Sequence, residues 1–174
     1  CRSAGLWPSC AVVVVTLRAL RFHGGQPASE LDHPSGGALE RGLANLDKQL
    51  ETARAFAVPA VVAINHFASD TEQELQFVQA FAEGSAGSID LARVVAEVVD
   101  SSGTPTPKFL YALEDSYEQK LHAVATRVYG ADGVHVTPAA AAALKQYAAQ
   151  GFGQLPICIA KTHLSLSDDA RVRG

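Results

Sequence analysis

Apolar residues follow two different rhythms along the first part of the chain. Ala11 to Leu17 is an unbroken, mostly β-branched run, and "VPAVVAIN", Val58 to Asn65, is a second. Neither alternates with polar residues, so both predict buried strands of the kind found in a parallel sheet covered on both faces. Between them Leu39, Leu43, Leu46 and Leu50 recur at helical spacing, with Glu40, Asp47 and Lys48 pointing elsewhere. That stripe predicts a helix over 38–56. Strand, helix and strand form a βαβ unit whose fixed hand makes the two strands parallel, with both carboxyl ends on one side of the sheet. The stretch "GGQPASELDHPSGG" after the first strand reads as loop.

Further along, 70–81 and 89–99 carry helical spacing, and "DSSGTPTPK" is the clearest linker. Beyond it Tyr117, Leu121, Val124 and Val128 line one face of another predicted helix. Thr137 caps the next, with Pro138 at its first position and Gly151 just past its end. "LPICIA", Leu155 to Ala160, reads as a third buried strand. The fold class is α/β: a parallel sheet with flanking helices over 1–100, and a smaller α/β piece over 101–174.

Each predicted strand runs straight into polar residues. Arg18, His23, Gly24 and Gly25 follow the first, and Asn65, His66, Ser69, Asp70 and Thr71 the second. Lys161, Thr162, His163, Ser165 and Ser167 follow the third. Taken singly, any of these is a solvated loop residue, or a helix cap in the case of Ser69 and Asp70. Taken together they suit a crevice for an anionic or phosphorylated ligand, because open α/β sheets bind ligands beyond the carboxyl ends of their strands.

Composition narrows the picture. The 174 residues are 48% hydrophobic and 18% charged, which suits a globular chain able to build a core without a metal or disulfide. A net charge of −4 argues against a nucleic-acid or membrane surface. Cys1, Cys10 and Cys158 lack metal-ligand spacing and read as reduced thiols, so no metal site is expected from them. No apolar run is long enough to span a bilayer. Neither GxSxG nor HExxH occurs, and the phosphate-cradling GxxxxGK[ST] is also missing. The chain has no methionine, and its opening "CRSAGLWPS" is not a signal peptide, so it reads as a segment of something longer.

The motif "VVTLRALRFHGG" closely resembles the V-A-T-[I/V]-R-A-L-K-x-H-G-G signature of formate–tetrahydrofolate ligases. "GLANLDKQLETARAFAVPAVVAINHFASDTEQEL", "AEGSAGSIDLA", "VYGADGV" and "AQGFGQLPICIAKTHLSLS" follow in family order, so the resemblance covers essentially the whole chain. "KTHLSLS" looks most like the synthetase portion of the eukaryotic multifunctional C1-tetrahydrofolate synthase.

This resemblance implies ATP-dependent formylation of tetrahydrofolate through formyl phosphate, with ATP, magnesium, formate and tetrahydrofolate as the small molecules involved. It further implies no nucleic-acid or membrane partner, a homo-oligomer in the full-length form, and a cytoplasmic or mitochondrial setting. Residues 1–100 would be the later part of a P-loop-type nucleotide and folate domain, and 101–174 an incomplete adjoining segment. Phe67 matches the aromatic of the family's N-x-F-P-T-D-T loop, one wall of a pterin slot. Phe81 stands where the other wall is a tryptophan in W-A-x-G-G-x-G; the alternative is that both rings are core residues, with Leu75, Val78 and Phe81 on one face of a helix. This chain departs from the pattern at Ala68 for proline, Ser85 for glycine, Arg21 for lysine and Val15 for alanine, and the stretch from Phe67 to Phe81 is shorter. With no phosphate loop in the chain, the catalytic residues stay unassigned, and the expectation is a family member inactive on its own. The second reading is a non-catalytic binding or pairing module of the same fold, a short isoform or paralogue. The third is an unrelated α/β nucleotide-binding protein.

Overall fold

The computed structural model describes residues 2–83, 91–103, 106, 108–160 and 166. The chain divides into two compact units between Lys108 and Phe109. In the first, β1 (Ala11–Val15) leads into α1 (Leu17–His23) and, after a loop, α2 (Gly36–Ala55). β2 (Ala60–Ile64), α3 (Glu72–Glu83) and α4 (Leu91–Ser102) follow.

β1 and β2 are parallel, in register from Ala11 opposite Ala60 to Val15 opposite Ile64, as the βαβ order requires. The sheet packs on helices. Val15 and Val62 join Leu17, Leu20, Leu39, Leu43, Leu46, Leu50, Val78 and Ala82 in one buried cluster, with Val13, Ala60 and Ile64 against it. The four α2 leucines predicted from spacing all lie in this core, where each fully buried aliphatic side chain contributes about 1.5–3 kcal/mol. The helix ends in a left-handed turn. Val58 N–H donates to Ala53 C=O at 3.1 Å, and Ala57 takes φ 56°, a conformation that usually selects glycine.

Two expectations about the strands need correction. β1 is not covered on both faces: Val12 is 43% exposed and Val14 66%, whereas Val61, opposite Val12 in the register and on the same face, is fully buried, so the cover on that face lies over β2. The strand also stops at Val15 rather than Leu17. Thr16 caps a helix there, its Oγ1 accepting from Ala19 N–H at 3.0 Å, so Leu17 to His23 wind instead of extending.

α1 and α2 approach backbone to backbone. A methyl group on Gly24 would overlap the Ala38 carbonyl oxygen, and one on Gly42 the Leu20 carbonyl oxygen. Arg41 Nε donates to Gly24 C=O at 2.8 Å across the same junction.

In the second unit α5 (Tyr117–Val124) runs into a π-helical turn, Ala125–Tyr129, which Gly130 ends at φ 77°. Ser116 and Gln119 close a capping box at the start of α5. α6 (Pro138–Ala149) starts at its Thr137 cap with Pro138 first, and Gly151 follows at φ 90°. The third predicted strand is absent: Leu155–Ala160 is irregular. Leu155 and Ile159 are exposed, and no neighbouring strand among the described residues offers a ladder to pair with.

Candidate functional site

The backbone turn that follows β2 is the best-defined feature at the carboxyl edge of the sheet. Asn65 N–H still donates to Val15 C=O at 2.8 Å, so the parallel ladder reaches one residue past the strand. The chain then folds back on itself. Phe67 N–H donates to Asp70 Oδ2 at 2.9 Å, and Asp70 N–H donates to Phe67 C=O at 3.0 Å. Aspartate closes such turns readily because its short carboxylate reaches nearby backbone donors. Asn65, His66, Phe67 and Ala68 therefore stand in solvent, Phe67 with 40% of its surface open.

Beneath the turn lies a buried ionic knot. Arg21 is fully buried, one turn of α1 beyond Leu17 and adjacent to Leu20 on the core-facing stripe. It grips Glu74 by two bonds, Nε to Oε1 at 3.2 Å and Nη2 to Oε2 at 2.7 Å, the fork geometry that only arginine offers. Nη1 donates to Leu31 C=O at 2.8 Å, and Nη2 lies 3.6 Å from Asp70 Oδ1. That last separation is an ion pair rather than a hydrogen bond. Both side chains of the Arg21–Asp70 pair are shut off from water. Glu74 also accepts from Thr71 Oγ1 at 2.8 Å and from Ser35 N–H at 3.1 Å. Burial pushes the Glu74 carboxyl up, but the hydrogen bonds from Arg21, Thr71 and Ser35, with the Arg21 charge, outweigh it and hold it below its ordinary value.

The residues singled out in the sequence are distributed unevenly. Arg18 lies on α1 and pairs with Asp32 at 3.2 Å in solvent. His23 ends the same helix, its ring 5.6 Å from that of Phe22. Gly24 is buried at the α1–α2 junction, while Gly25 is exposed at φ 91°. Asn65 and Phe67 share the β2 exit, and Asp70 sits under them. Phe81 is half-buried against the core cluster. Lys161, Thr162, His163, Ser165 and Ser85 lie outside the described residues.

Sequence reading missed Glu74 and the depth of Arg21. Two signals were present: Thr71-x-x-Glu74 is a capping-box pattern, and Arg21 falls one position after Leu20 on a buried stripe. The helical cap at this point is Thr71, whose Oγ1 accepts from Glu74 N–H at 3.3 Å.

Arg18 is engaged by Asp32, Gly24 by α2, and Asp70 by the knot. Among the described residues no group of three or more His, Cys, Asp or Glu side chains is placed to hold a metal ion. Among the same residues no helix is long and apolar enough to cross a membrane.

The sequence model of the formate–tetrahydrofolate ligase family matches residues 1–174. Curated formate–tetrahydrofolate ligases match over the full length of this chain, with 44% identity in Myxococcus xanthus, 42% in Chloroflexus aurantiacus and 43% in Symbiobacterium thermophilum. In each case the match occupies 34% of the relative, so the chain spans about a third of the length of these proteins.

Proposed function

We propose that this chain, which belongs to the formate–tetrahydrofolate ligase family, supplies the pterin-facing wall of a tetrahydrofolate site, with Phe67 as its contact residue. The single observation that carries this reading is the exposed Phe67 ring on a turn closed at both ends by Asp70. An aromatic ring left in solvent on a fixed turn is suited to stacking on a flat heterocycle, a contact that contributes about 0.5–1.5 kcal/mol beyond area burial.

The parent reaction is ATP-dependent joining of formate to tetrahydrofolate, with formyl phosphate as acyl donor and the folate N10 as nucleophile. Phosphoryl transfer rests on positioning and charge stabilisation. The residues of this chain hold and orient the pterin. Phosphate handling is assigned to parts of a full-length member beyond the matched third, as is assembly into a homo-oligomer in the cytoplasm or mitochondrion. Phe81 enters as the second wall by family position, and its half-buried ring makes it the weaker member of the pair. Among the described residues, Gly25 and Asn65 are exposed crevice candidates open to a ligand.

The test is an equilibrium titration of the chain with tetrahydrofolate, alone and with ATP and magnesium. Binding by the parent and an approximately tenfold weakening in Phe67→Ala is the expected result, corresponding to the loss of one aromatic stack. Equal affinities, or no binding by the parent, would remove the folate wall and leave a non-catalytic module of the same fold.

A further inference from the structure

We propose that Arg21 is a positioning residue for Phe67: held by Glu74, its guanidinium fixes Asp70, and Asp70 fixes the turn that carries the ring. The proposal rests on the folate reading for its purpose, though not for its geometry. Arg21 touches nothing a ligand would touch. It acts through a chain of contacts, Arg21 to Asp70 at 3.6 Å between charges and Asp70 to the Phe67 N–H at 2.9 Å.

Three segments meet at this one guanidinium. α1 supplies Arg21 itself. The loop between α1 and α2 supplies the Leu31 carbonyl, and its last residue before α2, Ser35, reaches the same Glu74 carboxylate. Gln26 braces that loop from within, its Nε2 donating to Glu30 C=O at 2.7 Å and His33 C=O at 3.0 Å. The β2–α3 turn supplies Asp70, Thr71 and Glu74. The α1–α2 loop and the β2–α3 turn are thus tied to one charge, and the position of the Phe67 ring depends on a residue some fifty positions earlier in the chain.

Burial gives the knot its leverage. Arg21 and Asp70 are both removed from water, so the attraction between them is far less screened than in a surface pair. Asp70 Oδ1 has no hydrogen-bond partner among the described groups, and the Arg21 guanidinium 3.6 Å away is the charge it faces there. Oδ2 is left to hold the Phe67 amide. Lysine cannot reproduce this arrangement: one ammonium has no planar fork and cannot keep two bonds on Glu74, one on Leu31 and its charge beside Asp70.

The experiment is residue-resolved amide hydrogen exchange by NMR on the 174-residue chain, comparing the parent with Arg21→Lys, Asp70→Asn and Asp70→Ala. The Phe67 amide reports the turn, and the Asn65 amide, bonded to Val15 C=O, reports the adjoining ladder. Exchange at Phe67 is expected to rise about tenfold or more in Arg21→Lys and Asp70→Ala, with Asn65 changing much less. Asp70→Asn leaves the Arg21–Glu74 pair intact and keeps an oxygen for the amide, so it isolates the charge and is expected to give a smaller rise. Phe67 protection kept in both Arg21→Lys and Asp70→Asn would overturn the proposal, since the turn would then hold itself. So would an equal loss at Phe67 and Asn65, which would make Arg21 a general core residue. The same variants titrated with tetrahydrofolate separate the two readings. A parent that binds no pterin while the exchange pattern holds removes the folate wall and leaves Arg21 positioning the ring. A parent that binds with unchanged affinity in Arg21→Lys and Asp70→Asn removes the positioning role and leaves the folate wall.

Discussion

Helices α2 and α6 are both regular and both rich in aliphatic residues, yet α2 buries Leu39, Leu43, Leu46 and Leu50 while α6 buries nothing. The cause is spacing and size. The α2 leucines form a stripe wide enough to close over the sheet, whereas the alanines of "PAAAAALKQYAA" favour the helix without offering much area to bury. The first unit is accordingly organised around an apolar cluster. The second is organised around side chains that bind backbone carbonyls and amides. Lys120 is fully buried with its Nζ on Gly153 C=O at 2.7 Å and Leu155 C=O at 3.3 Å, and 5.7 Å from the Tyr117 ring centre. Tyr117 donates to Phe152 C=O, Arg127 to Leu110 C=O, and Ile157 N–H to the Tyr111 hydroxyl. Equal helical content can therefore rest on quite different forces.

That contrast is most directly strained by cavity formation in the first unit. Leu39→Ala is expected to cost about 2–5 kcal/mol in chemical denaturation, since the site is fully enclosed and cannot collapse easily. A cost under 1 kcal/mol would mean that the cluster does not dominate there. In the second unit Lys120→Met keeps the volume but strips two carbonyls of their partner, with an expected cost of about 1–3 kcal/mol. If Lys120→Met proved neutral while Leu144→Ala on α6 was severe, the assignment of forces to the two units would be reversed.

Acid should act on the first unit through Glu74. Glu74 is held below its ordinary value when folded, so the unfolded chain takes up that proton at higher pH. The stability it supplies is complete above about pH 4.3 and is lost as pH falls through the lower folded value. Glu74→Gln should flatten this part of the stability-against-pH curve, measured by denaturation at a series of pH values. An unchanged acid limb would remove Glu74 as its source. The smallest expected effect is a gain: Ala57→Gly relieves a left-handed alanine and should stabilise by about 0.5–1 kcal/mol, offset in part by the entropy glycine adds to the unfolded chain. Destabilisation would show that the turn is not strained.

Much of the first unit was legible in the sequence because its signals are local and redundant. The parallel pairing followed from βαβ order, and the leucine stripe from period alone. The end of β1 was misjudged because Thr16 was read as one more β-branched residue rather than as a cap. The exposure of Val12 and Val14 could not be read from the run itself, since an apolar strand looks the same whether or not something covers it. Leu155 to Ala160 failed for a related reason: apolar content marks a segment able to join a sheet, not the presence of a neighbouring strand. At the site, Phe67 was found by family resemblance and Asp70 by its place after a strand. Arg21 was noticed only as a departure from a signature, because nothing in a one-dimensional pattern says that a cation is buried by a glutamate fifty positions away.

The reciprocal contact of Gly24 and Gly42 has a consequence for how such a chain can change over generations. Each glycine faces a carbonyl of the opposing helix, so the first methyl group at either position must push two helices apart before any later substitution can compensate. Gly36 and Gly133, with open space around them, face no such contact. The seam between α1 and α2 should therefore drift far less than the surface around it. Arg21 sits on one of the two helices joined by that seam, so the geometry it imposes on the Phe67 turn is inherited along with two residues that have no side chain at all.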